Sequence, residues 1–248
     1  MKYSCHICVL LVVLFLSSCN SYKKISYYQD LDRSKPAQEV VSNYEPATIQ
    51  PADILGINVS SRTPDQSAIF NYSAKDNQPS FSGYLVDTKG EIQLPLIGTL
   101  KVAGLTTAKL QEKMNQTLTT FFKDPVSNVR ILNFKVTVYG DVLKPDVYTI
   151  KDEKITITQA LSLAGDLNIT AKRNIVLIRE EDGKRNYVPI DLTSKQIFQS
   201  PYYYLKNNDQ IYIQPDKLKL ATVDRGRTAT LILSGLSVLA IVFSVIYK

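Results

Sequence analysis

The sequence predicts an α+β chain, with two small mixed α/β domains followed by a C-terminal transmembrane α-helix. Three observations lead there. Strand-like stretches with period-two alternation recur between turn residues, and one helical period interrupts each of two groups of them. A nearly unbroken apolar run of about nineteen residues closes the chain. Hydrophobic residues make up 44% and charged residues 21%, so the roughly two hundred residues between the ends have the composition for two small cores.

The N-terminus reads as an export signal. Residues 7–16 are apolar after Lys2, too short a run to span a bilayer, and Ser17 and Ser18 follow as small residues at a cleavage site. Leu16-Ser17-Ser18-Cys19 matches a bacterial lipobox, which makes Cys19 the expected lipid attachment site at the head of the mature chain. The alternative is an ordinary signal with an incidental Cys. The remaining cysteines, Cys5 and Cys8, and the single histidine, His6, lie within residues 1–18 and leave with the signal. Cys-His and Ser-His-Asp nucleophiles, and metal sites built on thiolate or imidazole, are thereby excluded from the mature protein. No cofactor and no metal are expected. Loss of Lys2 takes the formal charge from +6 to about +5, spread along the chain. A nucleic-acid partner does not fit an exported protein with scattered charge.

Residues 19–44, polar and Tyr-rich, read as a tether. The turn Pro51-Ala52-Asp53 leads into a strand through Ile54 to Val59, and the Ser-, Asn- and Gln-rich stretch from Ser60 to Ser82 reads as an exposed loop. Ile92, Leu94 and Leu96 are placed on one strand face by their period of two. Leu110, Met114, Leu118 and Phe121 recur at helical spacing, and Asp124-Pro125 stops the run. Phe134, Val136 and Val138 open a second group of strands. Thr156-Ile157-Thr158-Gln159 has capping-box spacing, and Gly165 closes the short helix it starts. A hairpin around Asp182-Gly183 and a last strand at Ile211-Tyr212-Ile213 complete it. The expected division is 1–18 signal, 19–44 tether, 45–133 first domain, 134–216 second domain, 217–228 basic flank and 229–247 transmembrane helix.

As a helix, 229–247 would reach about 29 Å, the thickness of a hydrocarbon core. Lys217, Lys219, Arg225 and Arg227 precede it and are expected to contact lipid head groups. Their position would keep the large N-terminal portion in the cytoplasm by the positive-inside rule, whereas the signal exports it. An outer-membrane destination accommodates both cues. Thr230, Ser234, Ser237 and Ser244 share one narrow stripe of this helix. Such a stripe points to contact with other helices or to a water-facing pore wall, although hydroxyls can also bond back to their own helix.

Longer motifs carry a resemblance. Ile49-Gln50-Pro51-Ala52-Asp53-Ile54-Leu55, Gly83-Tyr84-Leu85-Val86-Asp87, Gly90-Glu91-Ile92-Gln93-Leu94-Pro95-Leu96-Ile97-Gly98, Val102-Ala103-Gly104-Leu105-Thr106 and Asp124-Pro125-Val126 form one pattern. It resembles the polysaccharide-export domain of bacterial outer-membrane polysaccharide export lipoproteins. Val138-Tyr139-Gly140-Asp141-Val142 with Pro145, and Gln159-Ala160-Leu161 with Ala164-Gly165, are similar to the soluble-ligand-binding (SLBB) β-grasp module of the same proteins. Asp146 and Asp166 stand where that family usually has Gly, and Ala52 precedes Asp53 where Gly is common. The resemblance implies a homo-oligomeric ring with periplasmic domains, lipid-anchored in the outer membrane, whose terminal helices wall a pore. It implies export of capsular polysaccharide or exopolysaccharide as cargo, with an inner-membrane polysaccharide copolymerase as partner. The alternative is a lipidated periplasmic binding or assembly module with the helix as a simple anchor.

No enzyme is expected. Asp87 and Glu91 flank the Thr88-Lys89-Gly90 turn and form a carboxylate pair only in the sense that a solvated hairpin end does. The Pro201-Tyr202-Tyr203-Tyr204 cluster offers rings for sugar or a neighbouring subunit, but such clusters usually straddle core and surface.

Overall fold

A computed structural model describes residues 25–62, 67–71, 83–181, 183–216, 230–232, 234, 235 and 237. Its strands are β1 (Ile54–Ser60), β2 (Tyr84–Leu85), β3 (Glu91–Leu94), β4 (Gly98–Lys101), β5 (Val126–Ile131), β6 (Lys135–Gly140), β7 (Asp146–Thr149), β8 (Asn174–Glu181), β9 (Lys184–Asp191) and β10 (Gln210–Ile213). The α-helices α1 (Thr107–Leu118) and α2 (Ile157–Leu163) accompany them. The mixed α/β composition expected from the sequence is present.

Two hydrophobic cores divide these elements. The first runs from Ile49 to Val129 and joins the antiparallel sheet β2-β1-β5, the β3-β4 hairpin and α1. Leu110, Met114 and Leu118 bury the apolar stripe of α1, and Thr106 caps it by accepting from the Lys109 N–H. Three expectations fail here. Phe121 is exposed, because α1 ends at Leu118 and the helical period ends with it; Phe122 takes the inward place, edge-on to Phe70 at 6.0 Å. Leu96 is exposed because Leu94 pairs with Gly98, which leaves Leu96 in the loop with φ of 61°. Phe70, inside the stretch read as an exposed loop, is fully buried. Beside it the Asn71 amide both donates to the Val59 carbonyl and accepts from its N–H, standing in for a neighbouring peptide on β1.

The second core runs from Phe134 to Ile213 under the mixed sheet β7-β6-β10-β8-β9, with β10 parallel to β6 and antiparallel to β8. The capping box at Thr156 and Gln159 forms as its spacing predicts, and Ile157, Ala160 and Leu161 turn inward from α2. The sheet is locked by a buried ion pair. Arg179 on β8 donates from Nε and Nη2 to the two carboxylate oxygens of Asp209, at 2.9 and 2.7 Å, with side chains 4% and 1% exposed. A further Arg179 bond goes to the Tyr204 carbonyl at 3.1 Å, while Asp209 accepts the Lys206 N–H at 2.7 Å. The Tyr202 ring lies against the guanidinium. Burial pushes the Asp209 carboxyl above its ordinary range, against the opposing pull of Arg179.

The stretch expected as a tether is docked along this second unit from Ile25 onward. Tyr28 and Gln29 donate their N–H groups to the carbonyls of Leu192 and Thr193. Tyr28 packs on Phe198 at 4.7 Å, Asp30 accepts from Ser194 and from the Lys195 N–H, and Glu39 pairs with Lys195 at 2.6 Å. Asn43 closes the strap on the carbonyls of Phe198 and Ser200.

Replacing Arg179 by Leu strands a buried carboxylate and is expected to cost about 3–5 kcal/mol in urea unfolding. Replacing Arg179 and Asp209 together is expected to cost less than the single change, the reverse of what two independent contacts would give. The strap carries a pH signature. Asp30 is held below its ordinary 3.8, chiefly by the Ser194 hydroxyl, and Glu39 below 4.5, chiefly by Lys195. Depressed carboxyls stabilise the docked form above their unfolded values and lose that contribution as pH falls through the folded ones. Amide protection of Tyr28 and Gln29, taken relative to the intrinsic exchange rate at each pH, should therefore fall below about pH 4 before β8 and β9 lose protection; a simultaneous loss would contradict the docking role of these two carboxylates.

Candidate functional site

The two cores meet at a seam built from short polar side chains. Asp53 follows the Pro51-Ala52 turn, and its side chain is tied from both sides. Oδ2 accepts the Gln50 N–H at 2.9 Å and Oδ1 accepts the Asn207 amide at 2.7 Å, across 154 residues of chain. Asn207 in turn accepts the N–H of Lys135 at the start of β6. Asn133, between the units, donates to the Ala52 carbonyl and accepts the Ile54 N–H. Ile131 packs against both cores. Asp53 is 2% exposed, and this burial pushes its carboxyl up against the hydrogen bonds that hold it.

A cleft of about 210 Å³ opens beside this seam. Arg130, Lys151 and Lys206 line it together with Asp152, Glu153 and Tyr44. Tyr44 stands edge-on to Tyr204 at 4.9 Å, with the Lys154 ammonium 5.2 Å over its ring. Lys206 is engaged by Glu181 at 2.7 Å, which holds the Glu181 carboxyl below its ordinary range. The cleft offers charge, hydrogen bonds and an aromatic ring, a surface for recognising polar groups.

None of the site residues singled out in the sequence lines this cleft. Cys19, Lys217, Lys219, Arg225, Arg227 and Ser244 lie outside the described residues. Of the predicted span 229–247, the described positions 230–232, 234, 235 and 237 are helical. Among the described residues no helix is long and apolar enough to cross a membrane. Within the stripe, Ser234 donates to the Leu231 carbonyl at 2.9 Å and Ser237 to the Ser234 carbonyl at 2.8 Å, so both hydroxyls bond back to their own helix.

The weighed alternatives also find places. Asp87 accepts the N–H groups of Lys89 and Glu91 at 2.9 and 2.8 Å, so its carboxylate closes its own turn. Tyr202 covers Arg179, and Tyr203 packs edge-on to Phe198 within hydrogen-bond reach of Thr158. At the three positions that depart from the resemblance, Ala52 and Asp166 take φ of 70° and 72°, the left-handed region where Gly is at ease, while Asp146 begins β7. The seam partner Asn207 carried no sequence signal, because the residue it serves is 154 positions away.

Comparison with known proteins bears out the resemblance to the polysaccharide export family. Residues 41–132 match the family described as polysaccharide biosynthesis/export protein, a span that ends one residue beyond β5. A curated relative from Ralstonia solanacearum, the EPS I polysaccharide export outer membrane protein EpsA, is 29% identical over 150 residues, covering 59% of this chain and 39% of that protein. The protein of the same name from Ralstonia nicotianae (strain ATCC BAA-1114 / GMI1000) is 28% identical over 180 residues, covering 68% of this chain and 47% of the relative. The chain therefore spans less than half the length of these curated relatives.

An L-residue at φ of 70° carries a conformational cost that Gly avoids. Ala52→Gly is expected to raise unfolding stability by about 0.5–1 kcal/mol after the added chain entropy is counted. A measured loss would show that the Ala52 methyl contributes packing at the seam that outweighs the relief.

Proposed function

We propose, from the premise that residues 41–132 carry a polysaccharide biosynthesis/export domain, that this chain is a subunit of an outer-membrane translocon for exopolysaccharide or capsular polysaccharide. The observation that carries the reading is the joint match of that family and of two relatives named as polysaccharide export outer membrane proteins. In this reading Cys19 carries lipid, most of the chain lies in the periplasm, and residues 134–216 form an SLBB-type β-grasp unit. Identical subunits form a ring, residues 229–247 cross the outer membrane, and Lys217, Lys219, Arg225 and Arg227 meet its head groups. An inner-membrane polysaccharide copolymerase delivers the cargo. Passage of a polymer needs a path and driving force from elsewhere, so the chain is assigned no catalytic residue.

A second reading has its own support. The back-bonding of Ser234 and Ser237 satisfies both hydroxyls without a partner helix, as suits a tail that only anchors a binding or assembly module. The two readings separate on the mass of the detergent-extracted mature protein beside a form ending after Arg227. A high-order ring that weakens on truncation is the outcome expected of the pore-wall role. Monomers or dimers in both forms would sink the ring and leave the anchored module.

A further inference from the structure

The two ends of the second unit leave the fold at the same place. On the incoming side, Arg173 donates from Nε to the Ile25 carbonyl at 2.9 Å, and from Nη1 to the carbonyls of Asn168 and Ala171 at 2.9 and 2.6 Å. The Tyr27 ring lies 5.9 Å from the same guanidinium, and its hydroxyl donates to Asp166. On the outgoing side, Ala171 bridges Pro215, the Lys172 N–H donates to the Gln214 carbonyl, and the Asp216 N–H donates to the Thr170 carbonyl at 2.7 Å. One loop, residues 168–173, thus holds the chain six residues after Cys19 and again where it departs toward residues 229–247.

That loop, otherwise largely polar, exposes one large apolar side chain. Ile169 is 70% exposed, and the neighbouring loop presents Leu143 at 63%. The two loops are joined by the Val142–Leu167 bridge, by the Leu143 N–H on the Asp166 carbonyl and by the Asn168 amide on the Val142 carbonyl. Lys144 and Lys172 flank the apolar pair, and among the described residues neither is in an ion pair. Four carboxylates lie nearby: Asp166 is engaged by Tyr27, Asp146 accepts its neighbouring Val147 N–H, Asp141 is buried, and Asp216 adjoins Thr170 through its backbone.

We propose that this end of the second unit is a lipid-contacting surface, with Leu143 and Ile169 entering the head-group boundary and Lys144 and Lys172 facing anionic lipid. The inference rests on the reading of Cys19 as lipidated and of 229–247 as membrane-crossing. Chain length then supplies the geometry. Six residues from Cys19 to Ile25 reach at most about 20 Å, so the loop cannot stand far from the bilayer that holds the lipid. The outgoing chain starts from the same loop, so both attachments enter one membrane without crossing the body of the protein. Exposed apolar side chains rimmed by lysines are what such an interface uses.

The test uses the full mature lipoprotein in vesicles of phosphatidylethanolamine and phosphatidylglycerol. Cys19 is its only native cysteine and is blocked by lipid in this reading, so I169C, L143C and, as a control on β2, L85C each take a single environment-sensitive nitrobenzoxadiazole label. Leu85 is 62% exposed, comparable to the other two, so labelling itself does not bias the comparison. The expected result is a blue-shifted emission quenched by nitroxide-bearing lipid at 143 and 169, with neither effect at 85. Protein that floats with the vesicles while labels at 143 and 169 stay water-like overturns the lipid contact and leaves the anchoring intact. Protein that fails to float overturns the anchoring, and the lipid contact with it.

Discussion

The bidentate pairing of Arg179 with Asp209 is the interaction on which the arrangement of the second unit depends. A buried carboxylate and guanidinium are tolerable only when they meet each other in good geometry, and this requirement sets β8 against the turn that precedes β10. The Asp209 carbonyl also accepts the Thr137 N–H of β6. One residue therefore positions β10 between β6 and β8, in the middle of a five-stranded sheet. Everything downstream inherits that placement, because β10 ends next to the 168–173 loop and delivers the chain to it.

The seam between the cores follows a different logic. Its members are short amides and one carboxylate, each bonded to backbone and two of them, Asp53 and Asn207, also to each other, so the units are joined mainly by directional contacts. Among the described residues, Ile131 alone packs on both cores. Such a joint leaves a cleft open beside it, lined by three basic and two acidic residues together with apolar ones such as Ile131 and Phe134. The first unit, which carries the family match, is thus tied to the second by hydrogen bonds from Asp53, Asn133 and Asn207.

Much of the local structure was legible because local chemistry determines it. The capping box at Thr156, the α1 stripe through Leu110, Met114 and Leu118, the hairpin around Gly183 and the alternation of Phe134, Val136 and Val138 all depend on neighbours within a few residues. The failures share one cause. Leu96, Phe121 and Phe70 obey or break their periods according to where an element stops, and that is decided by partners elsewhere: the Leu94–Gly98 pairing, the end of α1 and the pocket against Phe122. The residues read as a tether show the same limit. Their polarity marks an exposed stretch, but not that Leu192, Ser194 and Phe198 wait to receive it.

By itself the sequence determined the composition of the elements, the turn residues, the likeness to export proteins and the apolar segments at either end. These are properties of short stretches, set by periodicity, side-chain chemistry and hydropathy. Only the tertiary structure decided that Asp53 meets Asn207, that Arg173 joins the incoming strap to the loop beside the outgoing strand, and that Leu143 and Ile169 share one end of the molecule. Such pairings link residues far apart in sequence; they are selected by burial and hydrogen-bond geometry, which leave no periodic mark along a single chain.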